Sequence, residues 1–176
     1  MTAQLPVRIA GEEVTTPESI VVSSPFDGHE VVVVPKCGPE HVETAVAAAK
    51  AVLAEPLAPW RRAEILEAAA DAVATHRDEL ARIIAEEAAK PIRTARTEAE
   101  RCVLTFRYSA VEARTLAGEM IPIDGAAPGD GKLAFTLRVP RGVVAAISPF
   151  NFPLNLVAHK VAPAIAVGSA LVVKPP

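Results

Sequence analysis

The spacing of hydrophobic residues divides this chain into segments with different periods. Between Pro39 and Gly118 apolar residues recur three and four positions apart, which is the spacing of one face of a helix. Four helices are predicted there, the first behind Pro39 and the third ending before Pro91. The fourth is predicted to end near Gly118, with an apolar face made of Ala95, Ala99, Cys102, Val103, Phe106, Ala110, Ala113 and Ala117.

Two segments that flank the helices have the composition of strands. The first, from "RIAGEEV" to "HEVVVVPKCG", is β-branched and is interrupted by Gly11, by the stretch 24–28 and by Pro35, so it predicts short strands joined by turns. The second is residues 119–141, which predict a β-hairpin because Leu133, Phe135, Leu137 and Val139 alternate with less apolar residues. An isolated hairpin is marginally stable, and both internal packing and pairing with another subunit would support it.

The last segment has the order strand, helix, strand. "GVVAAIS" and "ALVVKP" are short apolar runs, and "PLNLVAHKVAPAIAVG" predicts a helix from near Pro153 to Gly168, with a kink or early end at Pro163. The predicted fold is therefore α/β, with a β-element and four helices in 1–118, a hairpin in 119–141 and a first βαβ unit in 142–176. Because parallel strands are normally flanked by further strands, we expect this sheet to be incomplete within the chain.

Composition and charge exclude several classes of function. A net charge of −3 with dispersed Lys and Arg offers no basic face, so a nucleic-acid partner is not expected. The longest apolar stretch, 161–173, contains Pro163 and Gly168 and is shorter than the ~20 residues of a membrane helix, so no membrane partner is expected either. Without a secretory signal the expected location is the cytoplasm. The two cysteines and four histidines lack ligand spacing, so no metal site is predicted.

The most informative chemistry lies where the predicted βαβ strands end. Asn151 and Lys174 both follow a strand, and in such a unit ligands bind beyond the carboxyl ends of the strands. Asn151 also precedes a helix, so its amide and nearby unsatisfied backbone N–H groups could stabilise negative charge. The alternatives are that Asn151 caps the helix and that Lys174 is a solvated side chain. The turn lacks the G-x-G-x-x-G pattern of a standard dinucleotide site.

"VPRGVVAAISPFNFPLNLVAHKVAPAIAVGSALVVKP" closely resembles the core motif of the NAD(P)-dependent aldehyde dehydrogenases, in the version found in lactaldehyde and semialdehyde dehydrogenases. The resemblance continues upstream through "EEAAKPIRTARTEAE" and "PWRRAEIL". The matching motif positions are Pro140, Gly142, Pro149, Asn151, Phe152, Pro153, Lys160, Pro163, Ala164, Gly168, Lys174 and Pro175. The chain departs from the usual pattern at Ala89 (often Gly), Phe150 (often Trp), Ser169 (often Asn) and Pro176 (often a small residue).

The resemblance implies a function and a role for each matching site residue. Asn151 would donate a hydrogen bond to the oxyanion of a cysteine thiohemiacetal, and Lys174 would bind the adenosine ribose of NAD or NADP. The residues that would border the cofactor are Ile147, Ser148, Pro149 and Phe150. The nucleophilic cysteine and the glutamate that activates water would lie beyond Pro176, so this chain is expected to be an inactive amino-terminal part of an enzyme that oxidises an aldehyde to an acid.

Two further expectations concern association. The resemblance implies that the hairpin 119–141 joins subunits into a homo-oligomer. A different class of function also fits the residues: the chain could be a non-catalytic assembly or binding module that associates through its hairpin and its unpaired strand edge. The identity of the aldehyde and the choice between NAD and NADP stay open.

Overall fold

The computed structural model describes residues 4–176, and it opens with short antiparallel strand pairs. Strands β1 (Val7–Ile9) and β2 (Glu12–Val14) form the first pair, and β3 (Ser19–Ser23) and β4 (Glu30–Pro35) form the second. The turn between β1 and β2 has positive φ at Ala10 and Gly11, and the longer turn before β4 has positive φ at Gly28. The glycines at these turns therefore interrupt the β-branched pattern for a conformational reason.

Four helices follow in the order α1 (Pro39–Val52), α2 (Pro59–Thr75), α3 (Arg77–Ala88) and α4 (Ile92–Thr115). Helix α4 ends at Thr115, three residues before Gly118, and Ala117, which was predicted to lie on the apolar face of the helix, is exposed beyond it. The chain leaves the helix to run against a later segment: a Cβ on Gly118 would lie 1.7 Å from the Thr136 carbonyl oxygen. Gly118 thus marks a close backbone approach rather than the end of the helix.

Small side chains make up most of the helical core. One cluster joins α2 and α4 to a later helix through Leu66 and the alanines Ala63, Ala110, Ala113, Ala162 and Ala166. A second joins α3 and α4 through Ala81, Ile84 and Ala95, with Leu154 packed against it. Faces made of alanine let helix backbones approach closely, so little space is left between the helices for larger side chains to fill.

The segment 119–141 is much less regular than the predicted hairpin. Strands β5 (Met120–Ile121) and β6 (Ala134–Phe135) pair antiparallel over two residues each. Short 3-10 turns at Ile123–Gly125 and Ala127–Gly129 separate them, and Leu137 and Val139 lie outside any strand. Pro122 directly follows β5, and a proline cannot donate to a strand ladder. Leu133, Leu137 and Val139 are exposed, so nothing in the described part of the chain supports a longer ribbon.

The end of the chain is a parallel βαβ unit. Strands β7 (Val143–Ile147) and β8 (Ala170–Lys174) pair in parallel, and α5 (Asn155–Ala166) connects them. Helices α1 and α5 both pack on this strand pair. Helix α5 begins two residues after Pro153, close to the expected start, and it continues three residues beyond Pro163, so it does not end early at that proline. Pro163 lies in the last turn of α5, where it removes one N–H whose acceptor would belong to the exposed His159.

The chain exposes 11613 Å² of surface, whereas a compact monomer of its mass is expected to expose about 8,200 Å². Exposed large apolar side chains contribute to this excess along 133–139 and at the carboxyl end of β7. Within residues 4–176, every helix is too short or too polar to cross a bilayer.

Candidate functional site

The carboxyl ends of the two parallel strands bring together several of the predicted site residues. Ile147 lies opposite Lys174 in the strand register, and the Ser148 N–H donates to the Lys174 carbonyl oxygen at 3.1 Å. Ile147 is 70% exposed, and Lys174 is exposed beside it. The strand pairing therefore places these three residues at one open edge of the sheet.

Asn151 lies in the turn that follows this edge. It is exposed, and its side chain makes no hydrogen bond with any other residue in 4–176. Helix α5 begins four residues later, and its N-cap is Leu154, which supplies no side-chain bond. The alternative that Asn151 caps the helix was therefore wrong. Its neighbours in the turn, Pro149 and Phe150, are also exposed, Phe150 to 81%.

A carboxylate from a different helix caps α5. Glu98, on α4, is 1% exposed, and its Oε1 accepts hydrogen bonds from the backbone N–H of Leu154 at 2.9 Å and of Asn155 at 3.1 Å. The expectation that Asn151 stands beside unsatisfied N–H groups is thus corrected, because Glu98 binds two of them. A negative group at a helix N-terminus also interacts favourably with the helix dipole.

Lys90 pairs with this buried carboxylate. Its Nζ lies 2.6 Å from Glu98 Oε2 and 3.9 Å from the centroid of the Phe152 ring. A buried charge is costly unless it is paired and hydrogen-bonded, and here every oxygen of Glu98 has a partner. The Lys90 ammonium group also lies over the ring of Phe152, the residue next to Asn151, in a cation–π contact.

Sequence patterns did not reveal Glu98 or Lys90, although one signal was present. Glu98 follows Ala95 by three residues and precedes Cys102 by four, so it lies on the apolar face of α4. A lone carboxylate on a buried helical face indicates a partner elsewhere in the fold. The pattern could not identify that partner, because the N–H groups that Glu98 binds lie 56 and 57 residues further along the chain.

The cysteines of the chain do not join this site as nucleophiles. Cys102 is fully buried one turn beyond Glu98, and burial, with a smaller effect of the Glu98 charge, raises the pKa of its thiol to about 11. The thiolate is the reactive form of cysteine, so Cys102 is inert at neutral pH. Cys37 is exposed and follows β4. Within 4–176, no three His, Cys, Asp or Glu side chains are grouped to hold a metal ion.

The edge of the sheet has one unsatisfied polar group. Ser148 is 5% exposed, and its Oγ has no hydrogen-bond partner among residues 4–176. A buried hydroxyl without a partner is costly and commonly marks a missing ligand or water. The edge therefore combines two hydrogen-bond donors, the Ser148 hydroxyl and the Lys174 ammonium group, with apolar surface from Ile147 and Phe150. The donors fit the sugar of a nucleotide, and the apolar surface fits its aromatic base. No glycine lies in the turn to cradle a phosphate.

A groove of about 350 Å³ runs between α4 and α5 on the side of Asn155. Arg101, Tyr108 and His159 line it, and Thr105 donates to the Asn155 side-chain oxygen at 3.0 Å. Arg101 is exposed where it lines the groove, so its positive charge is accessible there. Hydrophobic periodicity did not predict this groove.

Known proteins are similar to this chain in sequence and in fold. The model of the aldehyde dehydrogenase family matches residues 13–176. The chain is 40% identical over 172 residues to 3-sulfolactaldehyde dehydrogenase of Priestia aryabhattai, covering 98% of this chain and 36% of that protein.

Two solved structures superpose closely. Aldehyde dehydrogenase 21 from Physcomitrella patens, in complex with its reaction product succinate, gives a TM-score of 0.93 at 34% identity, covering 99% of this chain and 37% of that one. The NADP-dependent glyceraldehyde-3-phosphate dehydrogenase from Bacillus halodurans, complexed with NADP, gives 0.93 at 35% identity, covering 99% and 38%.

The chain thus spans little more than a third of the length of these relatives. The family model covers nearly all of it, and both the parallel strand edge and the turn that carries Asn151 lie within the match. This chain belongs to the aldehyde dehydrogenase family.

Proposed function

We propose that the whole protein oxidises an aldehyde to a carboxylic acid with NAD or NADP, and that this chain contributes the oxyanion donor and one wall of the cofactor site. The observation that carries the proposal is the position of Asn151. Its amide is exposed at the carboxyl edge of the strands, and it is not needed to cap α5 because Glu98 does that. An amide without an internal partner can donate to a ligand.

The chemistry follows from where charge develops. Attack of a cysteine from outside this chain on an aldehyde carbon would leave an alkoxide on the former carbonyl oxygen. The Asn151 side-chain N–H would donate to that oxygen in the transition state, where a preorganised donor is worth about 10²–10³ in rate. The nicotinamide cofactor, when bound, would accept hydride from the same carbon, which would leave a thioester on that cysteine. Water would then hydrolyse the thioester and release the carboxylic acid and the free thiol. Neither Cys37 nor Cys102 supplies the nucleophile in this proposal.

The cofactor side of the site would be the strand edge. Lys174 would donate a hydrogen bond to the ribose hydroxyls, and the Ser148 Oγ would form a hydrogen bond with the ligand. The residues that would border the rings of the cofactor are Ile147, Pro149 and Phe150. The relative from Bacillus halodurans, which is complexed with NADP, supports a nicotinamide cofactor.

The substrate side would be the groove between α4 and α5. Arg101 and His159 place positive or ionisable groups there, which suits an aldehyde that carries an acid group. Sulfolactaldehyde, succinate and glyceraldehyde 3-phosphate, named for the three relatives, all carry such a group. Lactaldehyde carries no acid group, and the motif of this chain resembles the version found in lactaldehyde dehydrogenases. An assay should therefore include both acidic and neutral aldehydes.

The test replaces Asn151 in the full-length protein. Asn151→Ala and the isosteric Asn151→Asp should lower kcat by about 10²–10³, with little change in the KM for the cofactor. Both variants should keep their stability within about 0.5 kcal/mol, because the exposed side chain has no hydrogen bond to lose. Reduced cofactor is measured by absorbance. A wild-type kcat in both variants would remove the oxyanion role, and turnover by residues 1–176 alone would refute the proposed dependence on the rest of the protein.

A second candidate concerns association, which the exposed residues of 119–141 favour. Leu133, Leu137 and Val139 are each more than 70% exposed, and exposed apolar strand edges promote pairing. We propose that this segment contacts a second copy of the chain. Sedimentation should show an oligomer that Leu137→Lys dissociates, whereas a wild-type monomer at high concentration would contradict the proposal.

A further inference from the structure

The turn that carries Asn151 is held from outside its own segment. Helices usually begin with a local Ser, Thr, Asn or Asp that binds the first N–H groups, whereas α5 has Leu154 at that position. Its acceptor is Glu98, which reaches across from α4. Hydrogen bonds to a charged acceptor are shorter and stronger than neutral ones, so this cap fixes the start of α5 relative to α4.

Three contacts fix the residues that follow Asn151. The Phe152 ring packs under the Lys90 ammonium group, Leu154 packs on the cluster of Ala81, Ile84 and Ala95, and Glu98 holds the N–H groups of Leu154 and Asn155. All three contacts come from α3, α4 or the link between them. Asn151 itself makes none of them, so its backbone is anchored while its amide stays available.

We infer that the ion pair of buried Glu98 with part-buried Lys90 is a positioning device for Asn151, in which Glu98 holds the start of α5 and Lys90 holds the ring of Phe152, the residue next to Asn151. The inference rests on the proposed function, because it assigns Glu98 and Lys90 a role in the rate of the reaction that Asn151 assists. Neither residue touches the reacting atoms. A displacement of about 1 Å at a catalytic group can cost about 10² in rate, so loosening these contacts should be visible in kcat.

The experiment measures kcat of the full-length protein in a double-mutant cycle of Glu98→Ala with Asn151→Ala. Glu98→Ala alone should lower kcat by about 10- to 100-fold with a smaller change in the KM for the cofactor. In the Asn151→Ala background the same change should lower kcat by less than about threefold, because the donor that Glu98 positions is already gone. Full additivity of the two losses would overturn the inference.

Conservative variants separate positioning from folding. Glu98→Gln keeps an oxygen that can accept from Leu154 and Asn155 but turns an NH2 group towards Lys90, so it should recover only part of the activity lost in Glu98→Ala. Lys90→Met leaves the Glu98 carboxylate without its cation and should lower kcat, whereas Lys90→Met combined with Glu98→Gln removes both charges and should restore kcat relative to Lys90→Met. If the neutral pair is no better than Lys90→Met, charge pairing does not position the turn.

A control and a second readout keep the failures distinct. Leu66→Val removes volume from the other core cluster and should lower stability while leaving kcat near wild type at assay temperature. Hydrogen exchange at the Leu154 and Asn155 amides should accelerate in Glu98→Ala relative to Leu66→Val. If Asn151→Ala leaves kcat unchanged, the proposed function fails even where the exchange result holds. If Asn151→Ala is slow but Glu98→Ala is not, only the positioning role is overturned.

Discussion

Ala89 ends α3 in a conformation that favours glycine, and replacing it should stabilise the chain. Its φ of 48° and ψ of 37° lie in the left-handed region, which costs an L-residue about 1–2 kcal/mol. Ala89→Gly removes that cost but increases the entropy of the unfolded chain by about 0.5–1 kcal/mol. The net gain should be about 0.5–1 kcal/mol. Ala89 is exposed, so no packing is lost.

Urea denaturation followed by circular dichroism measures this gain as a higher midpoint at unchanged slope. The matching thermal shift is an increase in Tm of about 1–4 °C for a chain of this size. The control is Ala85→Gly, four residues earlier inside α3, where glycine should instead lower stability by about 1 kcal/mol. Equal losses in both variants would refute the argument, because they would mean that helix propensity outweighs the left-handed strain at Ala89.

Two further predictions concern the core. Leu66→Ala should lower the free energy of unfolding by about 3–5 kcal/mol in the same urea assay, because Leu66 is fully buried among alanines too small to fill the space; a loss below about 1 kcal/mol would contradict that packing. Iodoacetamide should label Cys37 but not Cys102 in the folded chain at pH 8. The pKa of the Cys102 thiol is raised to about 11, so this thiol becomes a reactive thiolate only as the pH rises towards that value. Because this pKa exceeds the ordinary value of 9.0, the contribution of Cys102 to stability should be lost as the pH rises from 9.0 to about 11. Rapid labelling of Cys102 at pH 8 would refute its burial.

Periodicity predicted the parts of the fold that bury one regular face. The five helices stand in the segments where apolar residues recur at helical spacing, and the parallel strands are the two continuous apolar runs. The segment 119–141 was different because alternation shows which side chains share a face, not what will cover it. Leu137 and Val139 alternate as a strand would, yet both side chains are exposed and neither residue is paired in the ladder of β5 and β6.

The site was only partly predictable for a related reason. The position of Asn151 and Lys174 at one edge follows from local order, because Asn151 lies in the turn after β7 and Lys174 is the last residue of β8. The cap of α5 does not, since it joins groups from two helices that are distant in sequence. Pro163 shows the limit of a propensity rule, because α5 continues to Ala166 although the proline removes the N–H that would bind the His159 carbonyl oxygen.

The distant cap also explains why an asparagine can stand in this turn and yet remain available to a ligand. Asn is a favoured N-cap residue, so beside an uncapped helix its amide oxygen would bind the first N–H groups and draw the side chain inward. Glu98 occupies those N–H groups with a stronger, charged acceptor, and Lys90 balances its charge. Glu98, and not Asn151, therefore binds the first N–H groups of α5. An Asn151 released from capping can donate its amide outward, so any change that frees the Leu154 and Asn155 N–H groups should let Asn151 turn back towards the helix.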